Sequence, residues 1–191
     1  MGQLVKQGYF GELYYAKARS FRRNGIPIWR GKDQLRLNFI QAGGGAFRDL
    51  GVHVLDASWW LLGTPKPVYA LGAAGAKFGP RGLGYNGPTP EPEIVEQFDT
   101  DDYGTGFIVF DGGASIQIES FWAAHRPNEV QIEIFGTDAG AKTSPLTIYG
   151  INNDQPRALH QRWGRNLCRL SGWPNTSSAL SWMEPLVRRR S

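Results

Sequence analysis

The spacing of apolar and polar residues predicts a sheet of several strands with one prominent helix. Alternating apolar and polar positions are typical of half-buried strands, and turn residues separate these segments. Asp111-Gly112-Gly113 stands between two of them and indicates a hairpin. The predicted strands cover residues 12–20, 67–77, 103–110, 114–122, 131–135 and 142–149. This pattern indicates an α+β fold, in which a mostly antiparallel open sheet carries a long helix packed on one face.

The helix is predicted from about residue 46 to residue 62, and Gly63 ends it. Its apolar positions recur at steps of three and four, which is the period of a helix with one buried face. A second stripe begins two residues later, about 200° around the helix, and therefore lies on the opposite face. The apolar stripe is Phe47, Leu50, Val54, Ala57 and Leu61, and the second stripe is Asp49, His53, Asp56 and Trp60.

The second stripe contains the residues with the clearest catalytic chemistry. Residues four apart on a helix are neighbours, so the Asp49 carboxylate can accept a hydrogen bond from one ring nitrogen of His53. The other ring nitrogen then points outward as a base, which is how an oriented acid/base catalyst is built. Alternatively, His53 is a satisfied interior histidine and Asp49 is its local partner or a first-turn charge.

The amino-acid sequence of this segment resembles that of one oxidoreductase family. The stretch GGGAFRDLGVHVLDASWWLLG closely resembles a helix of the glucose-fructose oxidoreductase and inositol dehydrogenase family (Gfo/Idh/MocA). In that family a triple glycine precedes an aspartate, with a histidine four residues on. Flanking segments also resemble the family's C-terminal domain, and the resemblance covers roughly residues 4–150. These segments are GYFGELYYAKARSFRRNGIPIW, YGTGFIVFDGGASIQIESFWAAH and IEIFGTDAGAKTSPLTIYG.

The resemblance implies an NAD(P)-dependent dehydrogenase that acts on a sugar or cyclitol hydroxyl. Asp49 and His53 match the family's two catalytic positions in the C-terminal domain, whose fold is dihydrodipicolinate-reductase-like. Family enzymes also use a lysine and bind NAD or NADP through an N-terminal Rossmann domain, and no such domain is recognisable in this sequence. The resemblance thus implies a half-enzyme that is inactive alone, with a separate Rossmann-domain chain as a partner. Family members pair through the open sheet face, which implies a homo-oligomer.

Two further motifs resemble parts of the family's N-terminal domain. Gly82, Gly84 and Gly87 spell GxGxxG, but prolines follow where a dinucleotide-binding turn requires a helix, so residues 79–92 are predicted to form a surface loop. Lys66 lies between two prolines, as in the family's catalytic Lys-Pro turn, but it follows the helix and is interpreted as a solvated turn residue.

Three other residues are weaker candidates for substrate binding. Arg19 shares one side of the first predicted strand with Lys17. His125 ends a predicted strand at a turn, where it could contact a sugar hydroxyl. Trp29 could stack on a sugar ring. The alternatives are solvated surface charges for Arg19 and His125 and a core aromatic for Trp29.

Charge and composition divide the chain near residue 156. Residues 1–156 carry fourteen Lys and Arg against sixteen Asp and Glu, whereas residues 157–191 carry seven Arg and the single acid Glu184. The resemblance implies that the first part is the oxidoreductase domain, and the change in charge predicts that the second is an atypical basic tail, disordered or frameshifted. Interleaved arginine and tryptophan in the tail could bind single-stranded nucleic acid, but a solvated terminal charge run is the favoured interpretation.

The sequence also bears on membrane spans, export signals and metal-ligand spacing. No segment has the length and apolarity of a membrane span, and the N-terminal segment has no apolar signal core, so a cytoplasmic protein is expected. The single cysteine, Cys168, and three scattered histidines give no metal-ligand spacing. Two functional classes remain: an oxidoreductase half that needs a cofactor domain, or a non-catalytic oligomerisation or carbohydrate-binding module.

Overall fold

The computed structural model describes residues 1–27 and 44–150, together with the backbone of residues 157–158. The helical segments in this part are α1 (Gly2–Lys6), a π-helical turn (Phe47–Gly51) that continues into an α-helix (Val52–Leu61), and a short helix (Pro92–Glu96). Single 3-10 turns occupy Gly79–Arg81 and Asp111–Gly113. We refer to the continuous helix of residues 47–61 as the site helix.

Ten strands are present in the described residues. They are β1 (Leu13–Phe21), β2 (Ile26–Pro27), β3 (Pro67–Gly75), β4 (Tyr85–Asn86), β5 (Tyr103–Phe110), β6 (Ser115–Phe121), β7 (Glu129–Gly136), β8 (Ala139–Lys142), β9 (Thr147–Gly150) and β10 (Arg157–Ala158). Eight of them form one sheet in the order β10-β9-β8-β7-β1-β6-β5-β3, and β2 pairs with β4 in a separate ribbon. Neighbours in the large sheet are antiparallel except β1 and β6, which are parallel.

The α+β fold predicted from the sequence is confirmed, with two differences of detail. The helix expected to be long has fifteen residues. The strand predicted over residues 142–149 is wrong, because β8 ends at Lys142 and β9 begins only at Thr147. Pro145 lies between them and has no N–H to donate to a strand ladder, which is the physical reason for the break.

The main core lies between the sheet and the site helix. The sheet contributes alternate residues of its central strands to this face, among them Ala16 and Ala18 of β1, Ile116 and Ile118 of β6, and Ile132 and Ile134 of β7. The helix contributes Val54 and Leu61. The opposite face of the sheet is the open face; it is not covered by any other described element.

A second, smaller core lies at one end of the sheet, where β1 and β6 terminate. It consists of Ile26, Ala46, Tyr85, Trp122 and Ala123, with Leu50 and Phe78 packed against it. The start of the site helix therefore packs beside the segment of residues 78–86. The predicted loop over residues 79–92 contains the 3-10 turn and β4, which pairs with β2.

Candidate active site on the site helix

Hydrogen bonds connect the start of the site helix to Asp101, which precedes β5, and to Ser120 of β6. The backbone N–H of Phe47 donates to Asp101 Oδ2 at 2.9 Å, and the N–H of Ala46 donates to the Asp101 carbonyl at 3.0 Å. A Cβ at Gly45 would lie 2.2 Å from Asp101 Oδ1, so only glycine allows this approach. On the other side, Ser120 Oγ donates to the Ala46 carbonyl at 2.7 Å. The two bonds to Asp101 satisfy N–H groups that a helix start leaves without intrahelical partners, and the bond from Ser120 adds a link to β6.

Asp49 lies in the π-helical turn and is held by a tryptophan of the sheet. Trp122 follows β6 directly, and its indole Nε1 donates to Asp49 Oδ2 at 2.8 Å. The predicted hydrogen bond from His53 to Asp49 is not present between these two described residues. Trp122 is 1% exposed, and its buried N–H needs an acceptor, which Asp49 Oδ2 supplies. Single π-helical turns within α-helices occur frequently at functional sites.

His53 lies one turn further along the helix, with its side chain exposed on the outer stripe. Asp56, three residues on, is its electrostatic neighbour. Burial raises the pKa of the Asp56 carboxyl, and the charge of His53 acts in the opposite direction. Asp56 Oδ2 is buried and has no hydrogen-bond partner in the described part of the chain. The site helix thus carries two half-buried carboxylates and one exposed imidazole on its successive turns.

Arg19 lies on the other face of the sheet. Arg19 of β1 is adjacent to Glu119 of β6, whereas their neighbours Ser20 and Ser120 form the next pair and point toward the helix. Side chains of successive strand residues point to opposite faces, so the guanidinium is on the open face. There it forms ion pairs with Glu119 at 3.8 Å, with Glu129 at 3.7 Å and with Glu133. The structure therefore does not bring Arg19 to Asp49 and His53.

His125 lies on the exposed loop after β6, three residues beyond Trp122. Its ring packs edge-on against Phe78, with 5.2 Å between the ring centroids. Phe78 packs on the second core that contains Trp122, so His125 is at the same end of the sheet as Asp49. Trp29 lies outside the described residues.

Sequence reasoning missed the buried acids and the tryptophan that support this site. Asp102 is fully buried, and its carboxylate accepts hydrogen bonds from the backbone N–H groups of Lys77, Phe78 and Gly79. Asp101 and Asp102 immediately precede β5, where polar residues are also typical of an exposed turn. The sequence pattern alone does not distinguish a buried, hydrogen-bonded acid from an acid in an exposed turn, because the hydrogen-bond partners are distant along the chain.

The GxGxxG segment does not have the geometry of a dinucleotide-binding turn. The two-residue strand β4 lies within the GxGxxG motif, and the motif does not open a helix whose N-terminus could meet a pyrophosphate, because the next helix begins only at Pro92. A Cβ on Gly84 would lie 2.4 Å from the Cβ of Ala123, so close packing accounts for that glycine. The backbone carbonyl of Lys66 accepts a hydrogen bond from the N–H of Asp111 at the β5–β6 turn, which places Lys66 beside a hairpin.

Neither a metal cluster nor a membrane span is found in the described ranges. No three His, Cys, Asp or Glu side chains are grouped there as metal ligands. None of the helices within residues 1–27 and 44–150 is long and apolar enough to cross a membrane.

The sheet and the site helix define an α+β domain. A family model described as GFO/IDH/MocA C-terminal domain matches residues 1–142, and the chain belongs to this family. D-glucoside 3-dehydrogenase of Escherichia coli (strain K12) is 32% identical over 162 residues, which are 83% of this chain and 44% of that protein. The putative UDP-kanosamine synthase oxidoreductase subunit of Amycolatopsis mediterranei (strain S699) is 30% identical over 149 residues, which are 78% of this chain and 41% of that protein.

Solved structures show the same fold. Levoglucosan dehydrogenase in complex with NADH matches with a TM-score of 0.61 at 20% identity, over 84% of this chain and 42% of that one. An inositol dehydrogenase homolog from Azotobacter vinelandii, complexed with NADH and myo-inositol, matches with a TM-score of 0.57 at 12% identity, over 84% and 39%. The chain spans less than half the length of these curated relatives and solved structures.

Proposed function

We propose that this chain forms the substrate-facing half of an NAD(P)-dependent dehydrogenase that oxidises a hydroxyl of a sugar or cyclitol. The observation that carries the proposal is that the site helix carries both Asp49 and His53, four residues apart. Asp49 is anchored by Trp122, and His53 is exposed where a substrate can reach it. The names of the relatives, which include a glucoside dehydrogenase, support a carbohydrate substrate.

In the proposed reaction His53 is the general base. Its imidazole accepts the proton of the substrate hydroxyl, while a bound nicotinamide would accept the hydride from the same carbon. Asp49 accepts a hydrogen bond from the substrate or from the imidazole through the oxygen that Trp122 does not occupy. Both roles require that the helix keep its position on the sheet, which the bond to Asp101 and the bond from Ser120 support.

The cofactor-binding residues and the catalytic lysine would come from outside the described residues. These residues offer no pyrophosphate turn, so the proposal assigns nucleotide binding to a Rossmann domain, on the same polypeptide or on a separate chain. The lysine that the family resemblance implies would belong to that domain as well. A cytoplasmic location is part of this proposal, because the reaction draws on a nicotinamide nucleotide.

The test is a dehydrogenase assay with NAD and NADP across glucosides, free sugars and inositols. The chain is measured alone and combined with candidate Rossmann domains, either fused upstream or added as separate proteins. We expect turnover only in a combination, and a loss of about 10²- to 10⁴-fold in kcat for His53→Ala, which is the usual contribution of a general base. Asp138→Asn is the control, because this exposed acid lies in the turn after β7, at the opposite end of the sheet from Trp122.

Two results would contradict the proposal. One is a His53→Ala variant as active as the Asp138→Asn control in a combination that turns over. The other is the absence of turnover in every combination although the protein is folded. The second result would favour a non-catalytic oligomerisation or carbohydrate-binding module.

We also propose that the open face of the sheet pairs two copies of this chain. Large apolar side chains are exposed on this face, including Tyr69 and Leu71 of β3 and Phe107 of β5. Charged side chains of β1, β6 and β7 lie beside them. A contiguous apolar surface with a charged border is typical of a protein interface.

A further inference from the structure

Trp122 connects the site helix to the strand end beneath it. Its indole N–H donates to Asp49 Oδ2 at 2.8 Å, across a separation of 73 residues in the sequence. The Trp122 side chain is 1% exposed and Asp49 is half-buried, so the donor is shielded from water and the bond is partly so. In such surroundings a hydrogen bond to a carboxylate is stronger than one at the surface, and its loss leaves a buried polar group unpaired.

The indole is itself fixed in place from two sides. The backbone N–H of Trp122 donates to the carbonyl of Asp102 at 2.9 Å, and the Asp102 carboxylate binds the backbone of residues 77–79. The ring packs in the second core with Ile26, Tyr85 and Ala123. A donor held in this way has one orientation, and it can impose that orientation on its acceptor.

We propose that Trp122 is a positioning residue for Asp49, resting on the proposed function of Asp49 in the dehydrogenase reaction. By occupying Oδ2, the indole fixes the rotation of the carboxylate and leaves Oδ1 for the substrate or the imidazole. Asp49 needs this external support because it lies in a π-helical turn, and no intrahelical side-chain bond to it from His53 is present in the described structure. Precise support of a catalytic group matters because a displacement of about 1 Å costs on the order of 100-fold in rate.

The test compares two tryptophans that differ in what their indole N–H binds. Trp122→Phe removes the donor to Asp49 and keeps an aromatic ring in the core. Trp59→Phe is the matched control, because the Trp59 indole donates at 2.8 Å to the Pro65 carbonyl, beyond the end of the site helix. In an active assembled enzyme we expect Trp122→Phe to lower kcat by about 10- to 100-fold and to change KM less. Trp59→Phe should leave kcat within about twofold.

A second measurement needs only the folded chain and no turnover. In ¹H–¹⁵N spectra with sequentially assigned indole signals, Asp49→Asn should shift the Trp122 Nε1–H resonance and leave that of Trp59 in place. This measurement does not depend on the stability of Trp122→Phe. Equal kcat values for the two tryptophan variants would overturn the proposal.

The spectra also separate this proposal from the proposed function. A Trp122 signal that Asp49→Asn does not move overturns the positioning role, whatever the activity of the assembled enzyme. A signal that moves, together with the absence of turnover in every combination, would refute the proposed function. The hydrogen bond would then be a structural one, and the positioning role in catalysis would be overturned with it.

Discussion

At the scale of single residues, buried polar side chains fix the segment that packs beside the site helix. Tyr85 is buried in the second core, and its hydroxyl donates to the Gly79 carbonyl at 3.2 Å. Burial raises the pKa of Tyr85 to about 12, and the charge of Asp102 acts in the same direction. Asp102 in turn accepts three backbone N–H groups of residues 77–79. The neutral phenol and the charged carboxylate therefore belong to one hydrogen-bonded unit.

This unit predicts a loss of stability at alkaline pH. Between the ordinary tyrosine pKa of about 10 and the native value of about 12, the unfolded chain has released the Tyr85 proton and the native chain retains it. The native state then binds more protons, so the free energy of unfolding falls as the pH rises through this window. Tyr85→Phe should remove this part of the slope, as measured by urea unfolding at about pH 9 and about pH 11.

Tyr149→Phe is the control for this experiment, because Tyr149 is exposed on β9. Its unfolding curves should show the same alkaline slope as those of the unmodified chain. A slope unchanged by Tyr85→Phe would show that Tyr85 is not the group that titrates in this window.

At the scale of elements, the site helix has the two faces that its sequence period predicts. Val54 and Leu61 are buried against the sheet, whereas His53 and Trp60 are exposed on the opposite side. Gly63 has a φ of +84°, a conformation that favours glycine, and it ends the helix as expected. Leu50, which belongs to the apolar stripe, is only half-buried and packs against the second core.

Two alanine substitutions should therefore differ strongly in their effect on stability. Leu61→Ala removes a buried side chain and leaves a cavity, so we expect a loss of about 2 to 5 kcal/mol in the free energy of unfolding. His53→Ala removes an exposed side chain and should change stability by less than about 0.5 kcal/mol. Urea denaturation followed by circular dichroism measures both. A loss of several kcal/mol for His53→Ala would show that the histidine is structural.

The sequence predicts these elements because helix faces and strand alternation are local properties. The predicted range of β5 agrees with the observed Tyr103–Phe110, and the hairpin at Asp111–Gly113 joins β5 and β6. Pairing between distant segments is not a local property. The parallel alignment of β1 with β6 and the bond between Trp122 and Asp49 both follow from the tertiary fold.

The contacts of the candidate site residues with distant segments could not be predicted from the sequence for the same reason. A helical spacing of four residues predicts that Asp49 and His53 share one face of the helix. Spacing does not say which other side chains compete for the carboxylate, and the indole of Trp122 arrives from another element. The strand period also places Arg19 and Lys17 on one face, but it does not say which face lies under the helix.

At the scale of the whole molecule, the open face of the sheet joins an apolar region to a charged one. Tyr15 of β1 contacts the rings of Phe107 and Phe135, and Leu71 extends this apolar region to the edge strand β3. Further along the same strands, Arg19 is surrounded by Glu119, Glu129 and Glu133. An apolar region with ion pairs beside it can bury its surface against a second copy and keep its charges hydrated or paired.

This surface predicts that the chain self-associates without a cofactor domain. Leu71 is 77% exposed, and Leu71→Asp would place a charge where the proposed interface excludes water. We expect sedimentation velocity to show a dimer or larger assembly for the unmodified chain and a shift to monomer for Leu71→Asp. Leu83→Asp is the matched control, because Leu83 is 45% exposed in the segment between β3 and β4, away from the sheet. An unmodified chain that sediments as a monomer, or equal shifts for both variants, would contradict pairing through this face.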